Sequence, residues 1–279
     1  RRVTGLIRSP FRDLPREVSI LIAASFFVAV GFGIVMPAIP VFAKSFGVNN
    51  AAIGLMVSAF AITRFASGLI SGTMVDKFGE RKVFSTGVFM VSLFTFLAGV
   101  AQNYEQLLFF RAAGGLGSSM FSVAASSVIL RSVSDDQRGH AQSVYQGSFI
   151  VGGMAGPAIG GLLSVISLRA PFFVYSILLF ISGLVALFFL KGDSIGAKVK
   201  NDSDAPATTI REALAMPAYR IALVLAFIGT WVFFGMRASI LPVFVTEELD
   251  STTAVVGYGF AISAIVQGAI LLKAGRFSD

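Results

Sequence analysis

Eight stretches of about 20 residues, each with few or no charged side chains, dominate this chain of 279 residues. That is the length an α-helix needs to cross the hydrocarbon core of a bilayer. They run Val18–Ala43, Ala51–Val75, Val83–Ala101, Gln106–Leu130, Ala141–Ile166, Ala170–Leu190, Ile221–Thr246 and Thr253–Lys273. Lipid offers the backbone no hydrogen bonds, so such segments must be helices or strands of a closed barrel. Barrel strands are about ten residues long and alternate in polarity, which these runs do not. Their glycines and prolines fit, since both are more frequent in membrane helices than in soluble ones. Only 13% of the residues are charged and the mean hydropathy is +0.81, against about 25% charged in soluble domains. An all-α membrane protein is expected, with the lipid bilayer as its main partner.

The net charge of +7 raises the question of nucleic acid, and its placement answers it. With the N-terminus in the cytoplasm, the inside segments hold Arg8, Arg12, Arg16, Lys77, Arg81, Lys82, Arg131, Arg138, Lys191, Lys198 and their neighbours, while the outside loops hold only Lys44 and Arg169. That is the positive-inside asymmetry. It reports topology, a multi-pass protein of the cell membrane, and nucleic-acid binding is not expected. The first run is too long for a cleaved signal segment and is interrupted by Pro37 and Pro40, so it is expected to remain as a helix.

The chain has no cysteine, so neither a disulfide nor a thiolate metal site can form. Its single histidine, His140, lies in the turn after the fourth run. No metal cluster, triad spacing or phosphate-binding loop is present in the sequence. No catalytic residue, cofactor or metal is expected, and the chain reads as something other than an enzyme.

The sequence also repeats itself. FGIVMPAIPVF (Phe32–Phe42) lines up with FGMRASILPVF (Phe234–Phe244), and GTMVDKFGERK (Gly72–Lys82) with GRFSD (Gly275–Asp279), at an offset near two hundred residues. Self-similarity at a fixed offset marks related structural units. Two six-helix halves joined by a cytoplasmic linker are one plan of secondary transporters. The expected organisation is a cytoplasmic segment 1–17, a six-helix bundle 18–190, a linker 191–218 and two helices of a second bundle, 219–279, the chain stopping inside the second copy of the repeat. In the linker, Thr209 and Glu212 have capping-box spacing, which predicts a short interfacial helix that Pro217 stops.

Several motifs carry possible function. In Gly72–Lys82, Gly72 allows close helix approach and Gly79 a tight turn. Asp76 sits among Lys77, Arg81 and Lys82, a cluster that could latch and release as helices move; ordinary positive-inside charge is the alternative. Asp135 and Asp136 are candidate partners for Arg81. Gly152, Gly156 and Gly160 recur at helical spacing and make a flat face for another helix, and Pro157 beside them removes a backbone hydrogen bond and favours a bend. Arg111 lies inside the fourth run on a small, polar stripe with Gly115, Ser118, Ser122 and Ser126. It should face protein or water, with snorkelling to the outer surface as the alternative. Arg237 shares a face with Thr230, Phe233 and Phe234, where it could bind an anionic or aromatic substrate or pair with an acid. Arg64 heads a small face with Gly68 and Gly72.

These segments resemble the major facilitator superfamily. Gly72–Lys82 is similar to its loop signature, RAAGGLG from Arg111 to the fourth-helix arginine motif, and GGMAGPAIGG (Gly152–Gly161) to the fifth-helix motif of antiporters. GFGIVMPAIP, with Gly31, Pro37 and Pro40, is similar to the first-helix pattern of the twelve-span drug–proton antiporter branch. The resemblance implies the major-facilitator fold, with a complete N-terminal six-helix bundle and the first two helices of the C-terminal one. It also implies a latch of Gly72, Asp76, Gly79, Arg81, Lys82, Gly275 and Asp279, and a fifth-helix face, including Gly161, that meets the second half and favours export.

The expected function is alternating-access export of a small organic compound, drug-like or metabolite, coupled to protons, by a monomer. A sugar or metabolite permease of the same fold is one alternative, and a non-transporting membrane sensor or scaffold another. A sensor should carry a sizeable soluble output domain, and no run of the sequence supplies one. No Asp, Glu, Lys or His falls within the interior of any of the eight runs, and arginines stay protonated. A neutral or anionic substrate is therefore expected.

Overall fold

The computed structural model describes residues 14–134, 137–190 and 210–232, with isolated positions at 249, 262–263, 266 and 270. Its described helices fall into two units. The first holds α1 (Arg16–Val35), α2 (Ala38–Lys44), α3 (Asn50–Ala66), α4 (Gly68–Phe78), α5 (Glu80–Val100), α6 (Tyr104–Ser132), α7 (Arg138–Ile166) and α8 (Ala170–Phe189); the second holds α9 (Ile210–Ala215) and α10 (Pro217–Thr230). Among the described residues there is no strand.

The helix ends follow local chemistry. Asn49 caps α3 by accepting from the Ala52 N–H at 2.9 Å, and Asn103 caps α6 by accepting from the Gln106 N–H at 2.9 Å. The Gln106 side chain in turn accepts from the Gln102 N–H at 2.9 Å, tying down the approach to the helix. In the first apolar run the break falls at Met36 and Pro37 and α2 follows at once; Pro40 sits inside α2 and is exposed. The second run, expected as one helix, is two: α3 and α4 meet at Ser67 at an angle of 45°. The cause is local. The Ser67 hydroxyl donates to the Thr63 carbonyl at 2.7 Å and the Ser71 hydroxyl to the Ser67 carbonyl at 2.8 Å. Such back-bonding beside a glycine (Gly68) is a recognised source of helix kinks. Pro217, expected to stop the short linker helix, also opens the next one as its first residue.

Length and apolarity suit this set for a bilayer. Residues 16–44, α5, α6 and α8 are each long and apolar enough to cross, and α3 with α4 form a fifth, bent span. At 29 residues α7 reaches about 43 Å at 1.5 Å per residue. Within the unit the helices pack as neighbours in the order α3/α4, α6, α5, α8, α1, α7, and contacts between α1 and α6 close the row into a bundle. The core holds Leu21, Ile34, Met56, Phe84, Leu107, Ile129, Phe172 and Leu179.

In lipid, apolar contact alone distinguishes poorly between helix partners, so small residues and polar links fix the pairings. α5 and α6 cross at Gly87 and Gly117, where a methyl group on Gly87 would lie 2.7 Å from the Gly117 carbonyl oxygen. α5 and α8 are joined by a reciprocal pair: the Ser92 hydroxyl donates to the Ser176 carbonyl at 2.8 Å, and Ser176 to the Ser92 carbonyl at 3.0 Å. The Ser182 hydroxyl donates to the Ala24 carbonyl at 2.8 Å, linking α8 to α1. Tyr104 reaches the Ala52 carbonyl at 2.7 Å and ties α6 to α3.

Candidate functional site

At one end of the bundle, α4 turns into α5 through a single residue. Gly79 has φ +81° and ψ 158°, a region that side chains almost never enter. Gly79→Ala is expected to destabilise the protein by about 1–3 kcal/mol, read as a lower unfolding temperature of the purified protein; an unchanged temperature would refute the strained-turn account. The turn brings two acids under one guanidinium. Arg131, near the end of α6, donates through Nη2 to Asp76 Oδ1 and pairs through Nη1 with Glu80 Oε1, each at 2.9 Å. Ser127, one helical turn before it, donates to the same Glu80 oxygen at 3.0 Å. Asp76 is exposed, whereas Glu80 is only 4% exposed. The fork thus pins α4 and α5 to α6.

The sequence placed Asp76 among Lys77, Arg81 and Lys82, but its ionic partner is Arg131, 55 residues further on. Arg81 and Lys82 enter no ion pair among the described residues; Asp135, Asp136, Gly275 and Asp279 lie outside them. Among the described residues nothing lies within 4 Å of where a methyl group on Gly72 would stand. Two features could have flagged the fork: Asp76 and Glu80 are four residues apart across the turn, and so are Ser127 and Arg131 on one helix face.

The fifth-helix glycines have a partner within the first unit. The face of Gly152, Gly156 and Gly160 packs on Ala29, Gly33 and Ile34 of α1: a methyl group on Gly152 would lie 2.7 Å from Ala29 Cβ, and one on Gly160 2.9 Å from the Ile34 carbonyl carbon. The second half, which the resemblance sets against this face, lies largely outside the described residues. α1 occupies the face, and Gly33 supplies the matching gap on its side. Gly161 is open, and α7 continues through Pro157 without a break. Gly31 makes room for the Tyr175 ring, whose Cε2 a methyl group there would approach to 3.0 Å.

Two arginines lie where α3 crosses α6, one buried and one exposed. Arg111 is only 8% exposed, so snorkelling is excluded; its guanidinium lies 4.7 Å from the centre of the Phe60 ring. The Arg111 Nε–H finds no hydrogen-bond acceptor among the described residues. One turn further along α6, Gly115 lets α3 come close, with the Phe60 carbonyl oxygen 2.6 Å from where a methyl group would stand. The Thr63 hydroxyl donates to the Ala112 carbonyl at 2.7 Å and locks this crossing. Arg64, next along α3, is exposed and donates from Nη2 to the Ser122 hydroxyl at 3.0 Å. Tyr175 of α8 packs edge-on against Phe32 of α1, and Tyr145 of α7 against Phe149, with ring centres 6.5 and 5.3 Å apart. Of the polar stripe read on α6, Ser118 is buried and Ser122 takes Arg64, whereas Ser126 is exposed. Arg237 lies outside the described residues. The two tyrosines carry no motif, and only the packing of α7 and α8 reveals them.

This arrangement offers donors and aromatic faces rather than reactive groups, and among the described residues no three His, Cys, Asp or Glu side chains cluster for a metal ion. The relatives agree in kind. "Multidrug resistance protein 2" of Bacillus subtilis is 25% identical over 258 residues, covering 90% of this chain and 64% of that protein. "Quinolone resistance protein NorA" of Staphylococcus aureus is 28% identical over 179 residues, covering 62% of this chain and 45% of that protein. The chain thus spans from under half to just under two thirds of the length of these curated relatives. Among solved structures, that of the human organic anion transporter MFSD10 (TETRAN) superposes with a TM-score of 0.74 at 17% identity, covering 94% of this chain and 72% of that one, a likeness of fold. The pattern of the Major Facilitator Superfamily, a family of transporters rather than enzymes, matches residues 21–279, and the chain belongs to that family.

Proposed function

We propose that the protein exports a small organic compound across the cell membrane by alternating access, with its N-terminus in the cytoplasm and the proton gradient as driving force. The observation that carries this is the pair of guanidiniums on the membrane-spanning helices α3 and α6: Arg111 buried on the Phe60 ring and Arg64 exposed and hydrogen-bonded to Ser122. An ionisable group inside a membrane bundle is expensive and marks a pathway by default. The multidrug and quinolone resistance proteins among its relatives favour export of drug-like compounds. The test uses protein expressed from its complete gene and reconstituted in vesicles made acidic inside. Ethidium, fluorescein and norfloxacin are supplied outside, and at least one should accumulate and then leak away when an uncoupler removes the gradient. Accumulation that ignores the gradient would sink the coupling, and no accumulation of any of the three would sink the export reading.

A further inference from the structure

We propose that Arg64 and Arg111 form a subsite for an aromatic organic anion, the inference resting on the transport reading above. The chemistry is that of uncompensated charge. Among the described residues both ion pairs belong to Arg131, so no described carboxylate pairs with Arg64 or Arg111. The Arg111 Nε–H is buried and lacks an acceptor, and Arg64 uses one nitrogen on Ser122. Each guanidinium has five N–H donors, so among the described residues most of this capacity is unused. Two such cations where α3 crosses α6 repel each other in a medium of low dielectric. A ligand that brings negative charge relieves both problems at once. A carboxylate or sulfonate accepts from a guanidinium with two parallel bonds, and Arg leads Lys at such sites because its planar fork matches those oxygens.

The ligand should also be aromatic. The Arg111 guanidinium already lies over the Phe60 ring. That ring offers an apolar surface beside the charge. A cation with the same rings would meet two guanidiniums and no described counter-charge. Arg64, being exposed, is the group a ligand can reach without disturbing the packing. Arg111 holds its charge inside the wall formed by α3 and α6.

The test separates the subsite from transport. Protein expressed from the complete gene is held in lipid nanodiscs and titrated against fluorescein, an aryl carboxylate followed by anisotropy, and against ethidium, a cation of similar ring size. Fluorescein should bind, and Arg64→Gln should weaken it about tenfold, the loss expected for one charge-assisted hydrogen bond. Arg64→Lys, which keeps the charge without the fork, should fall between, and ethidium binding should change less than about twofold because Arg64 offers a cation no contact to lose. Arg111→Gln should act in the same direction; should that buried variant misfold, the exposed Arg64 pair decides alone. Fluorescein binding that is absent, or unchanged by Arg64→Gln, overturns the subsite, even if ethidium is exported. Arg64-dependent fluorescein binding without gradient-driven movement of any dye supports the subsite and removes the transport reading.

Discussion

Replacing Arg131 with alanine should lower the stability of the protein by about 2–4 kcal/mol, close to the 3–5 kcal/mol seen when one member of a buried ion pair is removed. The reason lies in Glu80. It is almost fully buried, and without Arg131 its carboxylate keeps, among the described residues, only the Ser127 hydroxyl at 3.0 Å. Asp76 is different. It is exposed, and exposed ion pairs contribute about 0–1 kcal/mol, so Asp76→Asn should have a small effect on unfolding. A hydrophobic replacement of both partners restores much of what the single change loses. The double variant Glu80→Leu with Arg131→Leu should therefore unfold at a higher temperature than Arg131→Ala. Thermal unfolding of the four proteins in one detergent checks the order: parent first, Asp76→Asn close behind, the double leucine variant next and Arg131→Ala last. If Asp76→Asn is as damaging as Arg131→Ala, the buried half of the fork is not what holds this end together.

How far such features are legible in advance depends on which physics writes them. Span length is fixed by bilayer thickness, so it is visible in composition: the run Ala170–Leu190 becomes α8 at Ala170–Phe189, and Val83–Ala101 becomes α5 at Glu80–Val100. The break at Pro37 is equally local, because proline removes a backbone donor wherever it stands. Partner choice is a different matter. A helix that is apolar all round gives no sign of which side meets which neighbour, so the Gly152–Gly160 face could be read as belonging to either half, and α1 takes it. Arg131 finds Asp76 and Glu80 across some fifty residues; the four-residue spacings within each pair mark the groups, but not that the two pairs meet. Serine misled in the opposite sense. Ser67 and Ser71 look like mild interruptions of an apolar run, yet their hydroxyls compete for helix carbonyls and bend the span. Of the arginines, Arg111 could be placed on its stripe from periodicity, but the nearness of Phe60 and Arg64 depends on where α3 settles against α6.

The glycine seam gives the second large effect and separates close packing from mere smallness. In Gly156→Ala the new methyl group would stand 2.6 Å from the Ile34 backbone nitrogen, with the Gly33 backbone closer still. Neither neighbour is a side-chain tip that can swing aside, so α1 and α7 must separate. Overpacking of this kind costs about 1–3 kcal/mol, while glycine to alanine inside a helix contributes roughly 0.8–1 kcal/mol in the stabilising direction. The clash should win at Gly156, and Gly156→Leu should fail to assemble a stable bundle at all. Gly161 is the internal control. It lies on the same helix, and an added methyl group meets nothing within 4 Å, so Gly161→Ala should leave unfolding unchanged or raise its temperature by the propensity term alone. A second pair tests the α1 side: Gly33→Ala should be as harmful as Gly156→Ala, since its methyl group would lie 3.0 Å from the Gly156 Cα. Combining the two should cost less than their sum, because once the helices have moved apart for one methyl group the other finds room. Strictly additive losses would mean that Gly33 and Gly156 do not share a crossing point. Equal effects at Gly156 and Gly161 would mean that α7 needs small residues for some reason other than the approach of α1.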